Sequence, residues 1–469
     1  MFVGRLFRNR INQVAFLSFL AITCITFFKS ALELEDAEQA YYSQWLRWGY
    51  DDQPPLYSWL QYFVNKVFGV NKVSFSILRA GIFASVLMAM WHFSRKMLTN
   101  ESKSEIAVLL LVLLPVFIDF TFRRLSHTSL LCLSILASVI MIDRLLKAKT
   151  WTNYAFLGLV ISIGMLSKYN YLFFLVAIGF TLFFDTSIRK IILDKKFLLT
   201  VSLVLLLLFP HIHWLFGSEG YVMELQKSIA LKTENTVANS FFIIGPLFSL
   251  VITFLKLTAP LLAVFIVAFA LGKVTFKRPN LDWFTKLALA QLSVLVLFFL
   301  CLNVQKVEAR WLLPLLLPFM VLLLRSVEFK SVKKWATYLY ALFITIIVFQ
   351  TLRTPVEKML DIPSSVHFSF APLSDRLNKK FKDQLWLLPD VTYGGNIRIL
   401  NPNKEIFASD DFSVPKSKLD GETGIEVVVG TESTKGRLLL EQFFDFGKEK
   451  DTLSIVGFKR DIPSFERMD

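Results

Sequence analysis

The chain is 469 residues long, 54% of them hydrophobic, with 47 phenylalanines and only 19% charged, against roughly 25% charged in an ordinary soluble domain. Such a balance excludes a string of soluble domains and points to one helical membrane domain with a smaller polar remainder. The formal charge of +14 does not mark a nucleic-acid binder, because the basic residues cluster in short loops between apolar runs, where a topology signal belongs. Cys24, Cys132 and Cys301 all lie inside apolar runs, which argues against a disulfide framework.

In chain order, Arg5, Arg8 and Arg10 precede a first apolar run at about 14–28. These are the n- and h-regions of a signal peptide, but Lys29-Ser30-Ala31-Leu32-Glu33 offers no small-x-small cleavage site. The run therefore reads as an uncleaved first helix with a cytoplasmic N-terminus. Further runs lie near 75–93, 106–118, 128–142, 154–166, 171–184, 198–216, 258–271, 287–302, 312–324 and 335–349, for about eleven transmembrane helices. Several are shorter than the roughly 20 residues of a perpendicular span, so their ends should extend into the flanking loops. Threaded alternately through the membrane, they place Arg95/Lys96/Lys103, Arg144/Lys147/Lys149, Arg189/Lys190/Lys195/Lys196, Lys273/Lys277/Arg278/Lys286 and Arg325/Lys330/Lys333/Lys334 on the same side as the basic N-terminus. That side is the cytoplasm by the positive-inside rule.

Two regions then fall outside, the first loop (29–74) and the tail (351–469). A third, 218–240, is shorter, and the apolar stretch 241–255 after it reads as an interfacial segment before Pro260 starts the next span. The tail alternates apolar runs at 385–388, 397–400, 425–429 and 453–458 with Pro, Gly, Asn and Asp, the pattern of a small α/β domain. The expected architecture is an α-helical polytopic membrane protein, with a transmembrane domain over 1–350 and a C-terminal extracytoplasmic α/β domain over 351–469.

The first loop carries the densest chemistry. Glu33, Glu35, Asp36 and Glu38 fall within six residues, followed by Tyr41-Tyr42, Trp48-Gly49-Tyr50-Asp51-Asp52-Gln53-Pro54-Pro55-Leu56 and an amphipathic stretch at 56–68. An acidic cluster is most simply a solvated helix start, where carboxylates favour the macrodipole. The accompanying aromatics and Pro-Pro turn instead suggest a loop folded against the membrane surface.

Taken in order, these motifs resemble the polyprenol-dependent GT-C glycosyltransferases, in particular the bacterial family-39-like proteins that include protein mannosyltransferases and lipid A aminoarabinose transferases. The likeness continues through Arg79 at the start of the second span, Leu125-Ser126-His127-Thr128 heading the fourth, and Gly164-Met165-Leu166-Ser167-Lys168-Tyr169-Asn170 ending the fifth. Pro210-His211-Ile212-His213-Trp214 ends the seventh span and Glu308-Ala309-Arg310-Trp311-Leu312-Leu313-Pro314 opens the tenth. The tail matches only loosely. The resemblance implies inverting transfer of a sugar from a polyprenyl-phosphate donor to a glycolipid (lipid A), glycan or protein acceptor, at the outer face of a bacterial inner membrane. It implies a first-loop acid as general base, and substrate binding by Glu38, Tyr50, Gln53, Arg79, Arg124, His127, Lys168, Tyr169, His211 and Arg310.

Residue order leaves the base open. Relatives read Asp-Glu where this chain has Glu35-Asp36: by spacing from Pro54 the base is Glu35, by residue type Asp36, and Asp36 is preferred. Gln53 stands where the aminoarabinose enzymes have Lys, and the second outer loop offers Arg123, Arg124 and His127, with Asp119 nearby, where many relatives have a second acid. Lys168 could instead snorkel to the interface, and Arg310 could be an ordinary flanking residue, although charges at membrane depth are often functional. His211 and His213 do not share a helix face as metal ligands four apart would, so no metal is indicated and the cofactor requirement is unknown. The aromatic surplus fits lipid-facing packing and an interfacial belt, and no Gly-rich nucleotide loop is present. A flippase for lipid-linked sugars would show repeat symmetry, and a non-catalytic assembly subunit is the other alternative.

Overall fold

The computed structural model describes residues 9–124, 126–217, 222, 226, 244–362, 364–414, 423–429, 437–445 and 450–459. Leu125, the expected outer region 218–240 (222 and 226 apart) and residues 241–243 therefore lie outside the described residues.

Among the described residues, eight helices are long and apolar enough to cross a membrane. They are α1 (Arg10–Phe28), α4 (Lys72–Met97), α7 (His127–Lys147), α11 (Phe197–Gly217), α12 (Ile244–Ala270), α13 (Trp283–Cys301), α14 (Ala309–Ser326) and α15 (Val332–Met359). Two bent pairs raise the number to ten: α5 (Glu101–Leu113) with α6 (Val116–Arg123), bent by 77°, and α9 (Tyr171–Thr181) with α10 (Thr186–Ile192), bent by 112°. The shorter apolar helix α8 (Trp151–Ser167) accounts for the last of the expected runs. Shorter helices α2 (Leu34–Tyr42) and α3 (Leu56–Phe68) form the first loop, and α16 (Ala371–Lys380) and α17 (Val391–Leu400) the tail.

The two bends have local causes. Leu114 precedes Pro115 and is held extended (φ −102°, ψ 98°), as steric conflict with a following proline demands. Asp185 is also extended, and its carboxylate accepts from the backbone N–H groups of Ser187 and Ile188 at 2.9 and 3.0 Å, capping α10. Two expected boundaries shift. Pro260 does not start a span but lies inside α12, which runs unbroken from Ile244. A span tolerates such a proline because neighbouring groups re-satisfy the freed carbonyl. Arg79 does not open α4, because Asn71 caps that helix earlier by accepting from Val73 N and Ser74 N, which puts Arg79 two turns inside.

The chain divides into two compact units, residues 1–22, 52–57 and 79–350, and residues 23–51, 58–78 and 351–469. The first loop thus groups largely with the tail rather than with the spans, unlike the expected division at residue 350. In the first unit small residues let helices approach: a Cβ on Gly158 of α8 would sit 3.0 Å from the Thr200 carbonyl of α11. Thr200 Oγ1 donates to Tyr154 O at 2.7 Å, and Ser138 and Tyr171 hydroxyls bond at 2.6 Å between α7 and α9. Short strands β1 (Val274–Phe276) and β2 (Val327–Phe329) pair antiparallel.

The second unit is built on a five-stranded sheet of β3 (Leu385–Leu388), β4 (Phe407–Ala408), β5 (Thr423–Val429), β6 (Arg437–Asp445) and β7 (Lys450–Lys459), in the order β4-β3-β5-β7-β6. β3 runs parallel to β4 and β5, and β7 antiparallel to β5 and β6. Three of the four apolar runs of the tail lie in strands, while 397–400 is the end of α17. Leu373 and Leu377 of α16, Ile397 of α17, and Trp386, Leu388, Ile425 and Val427 of the sheet form its core.

The pairing of α2 with α17 explains the grouping. A Cβ on Gly395 would overlap the Ala37 carbonyl, and one on Gly394 would lie 2.7 Å from the Tyr41 ring. Two successive glycines, each disfavoured in a helix interior by about 1 kcal/mol, thereby let the two backbones touch. Asn396 Oδ1 accepts from Leu32 N at 2.7 Å and Arg398 Nη1 donates to Ala40 O and Ser43 Oγ. The Tyr41 hydroxyl accepts from Ala408 N at 3.1 Å, and Val366 O accepts from Ser30 N and Ala31 N.

Candidate functional site

In the second unit the acids lie at the start of α2. Glu33 is extended and heads the helix without a side-chain cap, since its carboxylate pairs with Lys29 at 3.0 Å instead. Glu35 and Asp36 occupy the first turn, where the exposed N–H groups and helix dipole favour negative charge. They are only 6% and 4% exposed, so the solvated-helix-start reading does not hold for them. Burying two adjacent carboxylates is costly unless neighbouring groups compensate them. Glu38, one turn on, is half-buried.

Behind this turn lies a tyrosine cluster. Tyr42 Oη donates to Asp51 Oδ2 at 3.1 Å, and burial together with the nearby Asp51 and Asp411 carboxylates holds its phenol well above the ordinary range. Tyr50 is fully buried, with its hydroxyl donating to Trp45 O and accepting from Arg47 N. Those bonds brace the loop through the Tyr50 hydroxyl. Arg47 forms an ion pair with Asp411 at 3.2 Å. Burial, and then the adjacent Asp390 and Asp411, push the Asp410 carboxyl up to about 7.

In the first unit a chain of contacts links several expected residues. Tyr57 lies ring to ring with His127 at 5.2 Å, and His127 Nδ1 bonds Ser167 O at 3.2 Å where α8 ends. The next residue, Lys168, sends Nζ to Thr128 Oγ1 at 2.9 Å. Tyr169 stacks on His211 at 5.9 Å and 20°, with Oη 3.4 Å from Nε2, and His211 stacks in turn on Trp214. His213 is exposed and stacks on Phe209, so the two histidines do face apart. Successive residues at the end of α8 thus reach two helices, Lys168 the start of α7 beside His127 and Tyr169 the His211 ring of α11.

The other expected residues have separate partners. Arg79 is 1% exposed and donates from Nη1 to Arg123 O at 2.9 Å. Arg124 lies over the Phe120 ring at 4.3 Å. Gln53 donates to Asp52 Oδ1 at 3.0 Å, and Arg310 Nε pairs with Glu308 at 3.2 Å. Sequence reasoning missed Gly394, Gly395, Asn396 and Arg398, which hold α2 in place. A glycine pair inside a helical stretch was the available signal.

Comparisons with known proteins bear on the family likeness and the fold. Residues 52–214, which include the run from Tyr57 to Trp214, match the family described as dolichyl-phosphate-mannose-protein mannosyltransferase. The lipopolysaccharide core galacturonosyltransferases RgtA and RgtB of Rhizobium johnstonii are 24% and 25% identical over 390 and 401 residues, covering 81% of this chain and 78% of each relative. Among solved structures, ArnT from Cupriavidus metallidurans bound to undecaprenyl phosphate superposes with a TM-score of 0.59 at 10% identity, over 95% of this chain and 97% of that one. The last likeness is one of fold.

Proposed function

We propose, from the premise that this chain is a membrane glycosyltransferase with the GT-C fold, that it moves a sugar from a polyprenyl-phosphate donor onto a lipopolysaccharide glycan at the outer face of a bacterial inner membrane. The observation that carries this reading is the burial of Glu35 and Asp36 in the first turn of α2. The donor class is supported by the undecaprenyl phosphate in the ArnT structure, and the acceptor class by the lipopolysaccharide core on which RgtA and RgtB act.

In the reaction, Asp36 takes the proton of an acceptor hydroxyl, with Glu35 the alternative base. The acceptor oxygen bonds to the anomeric carbon from the face opposite the phosphate, the bond from that carbon to the phosphate oxygen breaks, and polyprenyl phosphate leaves. Configuration inverts. Lys168 and Arg310 are the cations assigned to the developing phosphate charge, which charge-assisted hydrogen bonds stabilise strongly. Arg79, Arg124, His127, Tyr169, His211, Gln53 and Glu38 are assigned to holding donor and acceptor.

The test is a purified chain given polyprenyl-phosphate-linked sugars and extracted lipopolysaccharide. Mass spectrometry should find the acceptor heavier by one sugar and free polyprenyl phosphate in equal amount. Consumption of neither substrate across uronic, hexose and pentose donors would end the proposal. The same reading puts residue 469 outside the cytoplasm. A reporter active only in the periplasm, fused after Asp469, should be active; activity of a cytoplasm-only reporter at that position would overturn the topology.

A further inference from the structure

The second unit contains a cavity of about 740 Å³, comparable to the roughly 300–1,000 Å³ of ordinary ligand pockets. Its lining includes Trp45, Tyr62, Asn65, Lys66, Arg398 and Lys404, none of them assigned above to donor or base. The walls are fixed by internal bonds: Asn65 Nδ2 donates to Ser43 Oγ at 2.9 Å, its Oδ1 accepts from Gln61 and Ser74, and the Trp45 indole donates to Glu405. Pre-set walls of this kind lower the cost of binding.

The charge on the walls is unbalanced. Arg398 is 5% exposed, and its hydrogen bonds go to neutral oxygens, Ala40 O, Ser43 Oγ and Ser43 O. Burial pushes its guanidinium down to about 10. Lys404 Nζ donates to two backbone carbonyls, those of Lys382 and Gln384, and lies over the Trp386 ring. Lys66 is exposed and sits 5.2 Å from the Tyr62 ring. Among the described lining residues three cations stand with one carboxylate, Glu405, and the Asp383 carboxylate acts on Lys404 from nearby; a buried cation whose bonds all go to neutral oxygens, as those of Arg398 do, gains from an anion that meets it. Aromatic faces beside amide and cationic groups suit a sugar, which offers C–H surface and hydroxyls together.

One wall of the cavity begins where the helix carrying the proposed base ends. Ser43 follows α2 directly, seven positions after Asp36, about 10 Å along the axis at 1.5 Å per residue. That is the reach of a short oligosaccharide.

We propose that this cavity binds an acidic sugar residue of the acceptor glycan, a short distance from the hydroxyl that receives the transferred sugar. The inference rests on the glycosyltransferase reading above and adds the class of acceptor: a glycan with a negatively charged residue beside the acceptor position.

The experiment measures saccharide binding to the detergent-solubilised full chain carrying Asp36→Asn, without donor, by saturation-transfer NMR. The probes are digalacturonic acid and glucose 6-phosphate, with lactose and inorganic phosphate as controls. At least one acidic sugar should bind saturably with millimolar affinity, and Lys66→Glu should weaken it about tenfold, since reversing an exposed charge removes attraction and adds repulsion. Lys379→Glu, on the exposed face of α16, should leave binding unchanged. Equal binding of lactose, equal competition by inorganic phosphate, indifference to Lys66→Glu or no binding at all would each overturn the inference. The readout needs no turnover, so the two readings fail separately. Acidic-sugar binding in a chain whose wild type transfers nothing would sink the transferase proposal alone. Transfer by a chain that prefers no acidic sugar would sink the cavity proposal alone.

Discussion

Asp36→Asn is expected to lower turnover by about 10²–10⁴-fold, the usual loss when a general base is removed, while leaving donor binding intact. The substitution keeps shape and removes basicity, so a change in folding should not confound it. Asp36 shares the first turn of α2 with Glu35, and successive residues on a helix point roughly 100° apart, so the two carboxylates cannot present to one hydroxyl from the same direction. Glu35→Gln is therefore the matched comparison and should cost far less. Steady-state rates with saturating donor, together with donor affinity measured separately, decide the matter. Near-normal turnover in Asp36→Asn with a collapse in Glu35→Gln would transfer the role to Glu35, as spacing from Pro54 suggests. Normal turnover in both would remove the first-loop acid from the mechanism.

The spans were legible because a membrane helix is written as a contiguous apolar run, and each of the expected runs coincides with helix. The residues linking α8 to α11 were legible for a related reason. Lys168, Tyr169 and His211 are polar or aromatic breaks at the ends of such runs, and polar groups at membrane depth stand out against them. Other features depend on contacts between distant segments that no local pattern encodes. Nothing around residues 29–51 announces that they pack with a tail more than 300 positions later, yet Leu32 meets Asn396 and Ala40 meets Arg398. The Gly-Tyr setting of Tyr50 was legible as a resemblance, while the bonds from its hydroxyl to backbone groups of its own loop were not. Pro260 resembled a helix start because proline usually ends helices in water, a rule that packing inside a membrane relaxes.

The second large effect should come from Gly395, which has no side chain and no chemistry of its own. An added methyl there meets the backbone of Ala37, with the carbonyl oxygen, carbonyl carbon and Cα all inside normal contact. No side chain can rotate out of the way, so Gly395→Ala must separate α17 from α2. Helix propensity works in the opposite direction, favouring alanine by about 1 kcal/mol. Overpacking typically costs about 1–3 kcal/mol, so packing should win and the purified protein should unfold at a lower temperature. Turnover should fall further than stability, by about 10²-fold, because a displacement of about 1 Å in catalytic groups has that consequence and α2 carries both candidate bases. Gly179 provides the contrast: it lies in α9, and a methyl added there would meet nothing within 4 Å, so Gly179→Ala should leave melting and turnover unchanged or slightly improved. Matching behaviour of the two variants in thermal unfolding and rate would mean that close contact between α2 and α17 does not position the base.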